Sequence, residues 1–125
     1  MSIQRVLIVD DDEDVRNVTD MAVRHIGKWQ TVLAASGEEA LEKARSEQPD
    51  VILLDVMMPG LDGPSTLAKL RKDPATLAIP VIFLTAKAQP HEISHFMALG
   101  AHGVIAKPFQ VQTLPAEIVR IVEGR

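Results

Sequence analysis

The sequence predicts a doubly wound α/β domain, a parallel five-stranded sheet with five helices on its two faces. Three observations predict it. Short apolar runs alternate with helical patterns five times along the chain. The central run, residues 51–54 (Val-Ile-Leu-Leu), is apolar at every position, as a strand buried on both faces of a parallel sheet is. The length of 125 residues and the 46% apolar content suit one globular domain. Regular alternation of strand and helix means parallel strands joined by right-handed crossovers.

The elements follow in order. Residues 5–9 form an apolar run that ends in acids. Val15, Val18, Ala22, Val23 and Ile26 then recur at helical spacing, with Asp11 or Asp12 able to cap the start and Gly27 able to close the end. Residues 31–35 read as a strand, and residues 37–47 as a helix burying Ala40, Leu41 and Ala44. After the central strand and a Pro59-Gly60 turn, Pro64 suits a first helical turn, and that helix runs to Lys72. Residues 80–84 form the fourth strand. Pro90 opens a helix that places Ile93, Phe96 and Met97 inward and ends at Gly100. Residues 102–105 form the fifth strand, and Pro115 opens a last helix with Ile118, Ile121 and Val122 inward.

Composition removes several classes of function. Cysteine is absent, which excludes disulfides and thiolate metal sites. No run of apolar residues is long enough for a membrane-spanning helix, and the N-terminus lacks a signal-peptide pattern, so the expected location is the cytoplasm, with no membrane partner. A net charge of −4 gives no reason to expect direct nucleic-acid binding. The acids are unevenly spread, with five of the 17 consecutive at Asp10, Asp11, Asp12, Glu13 and Asp14.

In doubly wound sheets, ligands bind outside the carboxyl ends of the strands. The first strand ends in Asp10-Asp11, the third in Asp55, the fourth in Thr85 and the fifth in Lys107. Three carboxylates, a hydroxyl and an ammonium therefore meet on one edge. Clustered carboxylates repel one another and call for a cation. Hard oxygen ligands with spare water positions suit Mg²⁺. Lys107 adds a second positive charge and Thr85 a donor, a set that can stabilise the oxygens of a transferring phosphoryl group. Asp55 then reads as a carboxylate nucleophile that forms an aspartyl phosphate.

With those residues in place, the chain resembles the response-regulator receiver (CheY-like) family. The matching stretches are Val6-Leu7-Ile8-Val9-Asp10-Asp11-Asp12, Leu53-Leu54-Asp55-Val56-Met57-Met58-Pro59-Gly60-Leu61-Asp62-Gly63, Leu84-Thr85-Ala86 and Lys107-Pro108-Phe109. The resemblance implies a receiver domain over residues 1–125 with sheet order 2-1-3-4-5, as in flavodoxin-like folds. It implies two-component signalling, with Asp55 as phosphoacceptor and a sensor histidine kinase or histidine phosphotransfer protein as donor. Mg²⁺ would be bound by Asp11, Asp55 and the backbone carbonyl of Met57, with Asp10 acting through a metal-bound water. Thr85, Lys107 and the backbone N–H groups of Met57 and Ala86 would contact the phosphoryl group, and the Lys107-Pro108 bond would be cis. The expected role is a switch that catalyses only its own phosphotransfer and slow dephosphorylation. A downstream protein would read the face made by the fourth helix, fifth strand and fifth helix. No effector sequence follows the last helix, so a stand-alone receiver is expected.

The chain departs from the family at one telling place. Many receivers carry Tyr or Phe three residues before the lysine; here that residue is Val104. A β-branched side chain is stiff at χ1 and too short to act as a rotor. The expectation is that the loop of residues 86–90 and the start of the fourth helix carry the signal instead.

Other motifs point elsewhere and are set aside. His91-Glu92-Ile93-Ser94-His95 matches the zinc-protease pattern H-E-x-x-H, but no third ligand follows at a suitable spacing, so two solvated histidines are expected. The acidic run begins like a calcium loop, yet Val15 and Met21 stand where that loop needs glycine and glutamate. A flavin carrier would need a phosphate-binding loop where this chain has five acids. Aspartate-based phosphohydrolases place an acid two residues after the nucleophile, where this chain has Met57.

Overall fold

A computed structural model describes residues 2–124; Met1 and Arg125, the ends of the expected domain, lie outside the described residues. Five parallel strands, β1 (Arg5–Val9), β2 (Gln30–Ala34), β3 (Val51–Asp55), β4 (Val81–Thr85) and β5 (Gly103–Ala106), form one sheet. Its order is β2-β1-β3-β4-β5. The helices are α1 (Glu13–Met21), α2 (Gly37–Glu47), α3 (Gly63–Lys72), α4 (Pro90–Ala98) and α5 (Leu114–Glu123).

Because side chains alternate along a strand, the sheet feeds two cores. Leu7, Val9, Ile52, Leu54 and Phe83 pack under Ala40 and Ala44 of α2, Leu67 and Leu70 of α3, and Phe96 of α4. Val6, Ile8, Leu53, Ile82 and Leu84 pack on the opposite face with Ala22 and Val23, and with Leu114 and Ile118 of α5. All five residues of β3 and all five of β4 are buried, as the unbroken apolar runs require.

Several expectations need correction. α1 passes into a π-helical turn over Ala22–Ile26, which rotates the apolar pattern, and Val18 and Ile26 are exposed. Met97 is exposed as well, because only Phe96 of α4 reaches the core. Gly27 does close this helical stretch as expected, in a right-handed conformation, and the left-handed residue is Lys28 after it. Gly27 is small for another reason: a Cβ there would lie 2.6 Å from the Val23 carbonyl and 2.9 Å from the Trp29 ring. The ends of β2, β4 and β5 fall one residue from the expected positions, because register with the neighbouring strand fixes them. Gln30 pairs with Arg5, and Thr85 pairs with Ala106.

Candidate functional site: an acidic pocket at the sheet edge

β1 has β2 on one side and β3 on the other, so the crossovers diverge there and leave a crevice at the carboxyl ends of β1 and β3. Asp10 and Asp55 flank that crevice. Each follows or ends a strand whose apolar residues leave it no choice of position. Asp10 is 1% exposed and Asp55 7% exposed, while Asp11 is exposed. Carboxylate oxygens of Asp10, Asp11 and Asp55 lie within 4.8 Å of one another.

Lys107 enters this cluster from β5. Its backbone N–H donates to the Thr85 carbonyl at 2.8 Å, which carries the β4–β5 pairing one step past the strand. Its Nζ donates to Asp10 Oδ2 at 3.0 Å and to Asp55 Oδ1 at 3.1 Å. The Lys107-Pro108 bond is cis, as expected from the resemblance. Thr85 is buried, and its Oγ1 accepts the Lys87 N–H at 2.9 Å, which leaves the hydroxyl hydrogen free to donate elsewhere.

The loops around the cluster hold it in shape. Asp12 caps α1, accepting from Asp14 N–H at 2.9 Å and Val15 N–H at 3.3 Å. Asp10 Oδ1 accepts the Asp12 N–H at 2.9 Å, so part of the acidic run stabilises the turn itself. Asp62 caps α3 through Ser65 N–H at 2.8 Å. Gly63 lets α3 start against β3: a Cβ there would sit 2.5 Å from the Asp55 carbonyl oxygen. Arg16 Nη1 donates to the Asp10 carbonyl at 2.7 Å. Sequence reasoning missed both Gly63 and Arg16, and the one available signal was the Asp-Gly pair that opens α3.

Burial pushes the Asp55 carboxyl above the ordinary carboxylate range, and the Asp10 charge pushes the same way. The Lys107 ammonium and the Met57 N–H oppose this without cancelling it. Burial works against the Lys107 ammonium, but its hydrogen bonds and charge contacts with Asp10 and Asp55 outweigh that and hold it above its ordinary value. Two nearly buried carboxylates thus share one ammonium and remain short of positive charge. Their hard oxygens suit a small divalent cation with water completing its shell, which is the ligand chemistry of Mg²⁺.

Residues 6–119 match the family model of the response regulator receiver domain. The chain belongs to that family. It is 37% identical over 121 residues to protein PilH of Pseudomonas aeruginosa, covering 96% of this chain and 98% of that one. It is 35% identical over 119 residues to the alkaline phosphatase synthesis transcriptional regulatory protein PhoP of Bacillus subtilis, covering 95% of this chain. The chain spans 44% to 48% of the length of PhoP and similar transcriptional regulators. The crystal structure of chemotaxis protein CheY4 of Vibrio cholerae superimposes with a TM-score of 0.88 at 31% identity, covering 96% of this chain and 99% of that one. The fold and the receiver family expected from the sequence both hold. The chain is a receiver domain of two-component signal transduction.

Of the expected site residues, Asp10, Asp11, Asp55 and Lys107 converge, and Thr85 ends the strand beside Asp55. Met57, 67% exposed, follows β3 at the mouth of the pocket. His91 and His95 are exposed on α4, and the described residues contain no metal-type cluster that includes them.

Proposed function

We propose that Asp55 is the phosphoacceptor. A carboxylate oxygen of Asp55 attacks the phosphorus of a phosphohistidine on a sensor kinase or phosphotransfer protein. The phosphorus–nitrogen bond breaks, and its electron pair stays on the imidazole nitrogen, which takes up a proton. The observation that carries this reading is the Lys107 ammonium held between Asp10 and Asp55. It keeps the Asp55 carboxylate oriented and offers positive charge where the phosphoryl oxygens arrive. Thr85 supplies its hydroxyl hydrogen to one of those oxygens. Mg²⁺ fits the carboxylates that converge there: Asp11 and Asp55, with the Met57 carbonyl, would hold it, and Asp10 would act through a water. Bound there, it would supply positive charge to offset that of the transferring group.

The role is that of a switch that phosphorylates itself and loses the phosphoryl group slowly. Met57 stands where a hydrolase needs a general acid, and it has no proton to give. The expected site of action is the cytoplasm, with output through the face of α4, β5 and α5. The test is incubation with acetyl phosphate and Mg²⁺, read by intact mass. The parent gains one phosphoryl group. An Asp55→Asn variant that gains it equally well would refute the assignment.

A further inference from the structure

We propose that Arg16 is a positioning residue for the metal, fixing the turn that presents Asp11. This rests on the Mg²⁺ reading above. Asp10 is held at each of its polar groups. Its N–H donates to the Ala34 carbonyl of β2 at 3.1 Å, and its carbonyl accepts Arg16 Nη1 at 2.7 Å. Its Oδ1 accepts the Asp12 N–H at 2.9 Å, and its Oδ2 accepts Lys107 Nζ at 3.0 Å. Asp11 is placed differently. It is exposed, yet its carboxylate joins those of Asp10 and Asp55 in one cluster. The peptide groups on either side direct it. Arg16 holds the Asp10–Asp11 peptide at its carbonyl, and Asp10 holds the Asp11–Asp12 peptide at its N–H.

Arg16 starts from a fixed point. It lies in α1, and its own N–H donates to the Asp12 carbonyl at 2.9 Å, so the capped first turn of the helix sets where the side chain begins. Its half-buried guanidinium keeps its charge at every working pH. Part of that charge is answered by Glu39 of α2. The Ala35 N–H and Lys43 hold the Glu39 carboxyl below its ordinary range, and Arg16 adds to the effect. Toward a metal in the pocket, the charge alone works the wrong way, because a guanidinium beside a cation site repels the cation. What Arg16 gives the site is the hydrogen bond. Groups that orient a metal ligand from behind are worth about 10- to 100-fold in metal affinity. Charge and hydrogen bond therefore predict opposite signs: loss of the charge tightens Mg²⁺ binding, and loss of the grip on the turn weakens it.

The experiment titrates the chain with Mg²⁺, follows the amide NMR shifts of Asp11, Asp55 and Met57, and adds urea unfolding without metal. The parent is expected to bind Mg²⁺. Arg16→Met is expected to bind it about tenfold more weakly. That ratio is expected to persist at high salt, which screens charge but leaves hydrogen-bond geometry in place. Arg16→Lys keeps a donor and is expected to recover most of the affinity. If the parent binds no Mg²⁺, the metal reading fails and the role of Arg16 falls with it. If the parent binds and Arg16→Met binds equally well or more tightly, the positioning role alone is overturned. A lower urea midpoint in Arg16→Met with unchanged Mg²⁺ affinity marks a purely structural contact and overturns it too. So does an Arg16→Lys variant no better than Arg16→Met, or a deficit that salt erases. Should Arg16→Met not fold, Arg16→Gln, too short to reach the carbonyl, replaces it, and the same readings decide.

Discussion

Replacing Lys107 with Met should destabilise the fold in a way that fades with acid. The ammonium pairs with Asp10 at 3.0 Å and Asp55 at 3.1 Å. The lysine side chain is 21% exposed, and the two carboxylates are 2% and 9% exposed. Breaking a buried pair by removing one partner costs about 3–5 kcal/mol. Partial exposure of Lys107 and the Asp12 N–H that Asp10 retains place the loss near the lower end, about 3 kcal/mol at neutral pH. The pH dependence follows from Asp55. Its carboxyl already lies above the ordinary range through burial and the Asp10 charge, and loss of Lys107 raises it further. An acid with a raised folded-state pKa binds its proton more tightly folded than unfolded, so stability rises as pH falls through that value. The deficit should therefore narrow from pH 7 to pH 5. In urea without Mg²⁺, with a slope of about 2 kcal/mol per M, the midpoint should drop by about 1.5 M at pH 7. A deficit that is negligible at pH 7, or that grows as pH falls, would refute the reasoning.

Three further outcomes are expected. Gly63→Ala puts a Cβ 2.5 Å from the Asp55 carbonyl oxygen and 2.8 Å from the Val56 Cα. Backbone cannot rotate away, so the cost is about 2–3 kcal/mol in thermal melts, with slower acetyl phosphate incorporation because the acceptor strand must shift. Asp11→Ala should melt at the parent temperature without metal, since Asp11 is exposed. The parent should gain about 1.4 kcal/mol from Mg²⁺ at ten times its Kd, and the variant should gain nothing; equal Mg²⁺ stabilisation of both would remove Asp11 from the metal site. Zn²⁺ titration should reveal no sub-micromolar site that disappears in a His91→Gln, His95→Gln double variant, because the exposed pair has only two ligands.

Much of the fold could be read from β3 and β4, whose unbroken apolar runs can only be central strands. The pocket was legible for a related reason. Polar residues directly after such runs have to emerge at the carboxyl edge, and Asp10, Asp55, Thr85 and Lys107 all do so. Helix faces were harder to read. Val18, Ile26 and Met97 satisfy a helical period, yet they lie outside the core. A period shows that one face is apolar but not how wide the contact is, and the π-helical turn after α1 shifts the phase. Contacts between distant residues were not legible at all. Nothing local to Arg71 announces carbonyl partners as far along the chain as Gly100. The Asp62-Gly63 pair signals a helix start but not how closely α3 approaches β3.

The most direct test of the phosphoacceptor assignment is to locate the acyl phosphate by chemistry. Borohydride reduces an aspartyl phosphate to homoserine, and tandem mass spectrometry of the digested, acetyl phosphate-treated protein reads its position. The expected result is homoserine at position 55 alone, dependent on Mg²⁺ and lost in Lys107→Met. Homoserine at Asp10, Asp11 or Asp62, or a phosphoryl group found only on histidine, would contradict it.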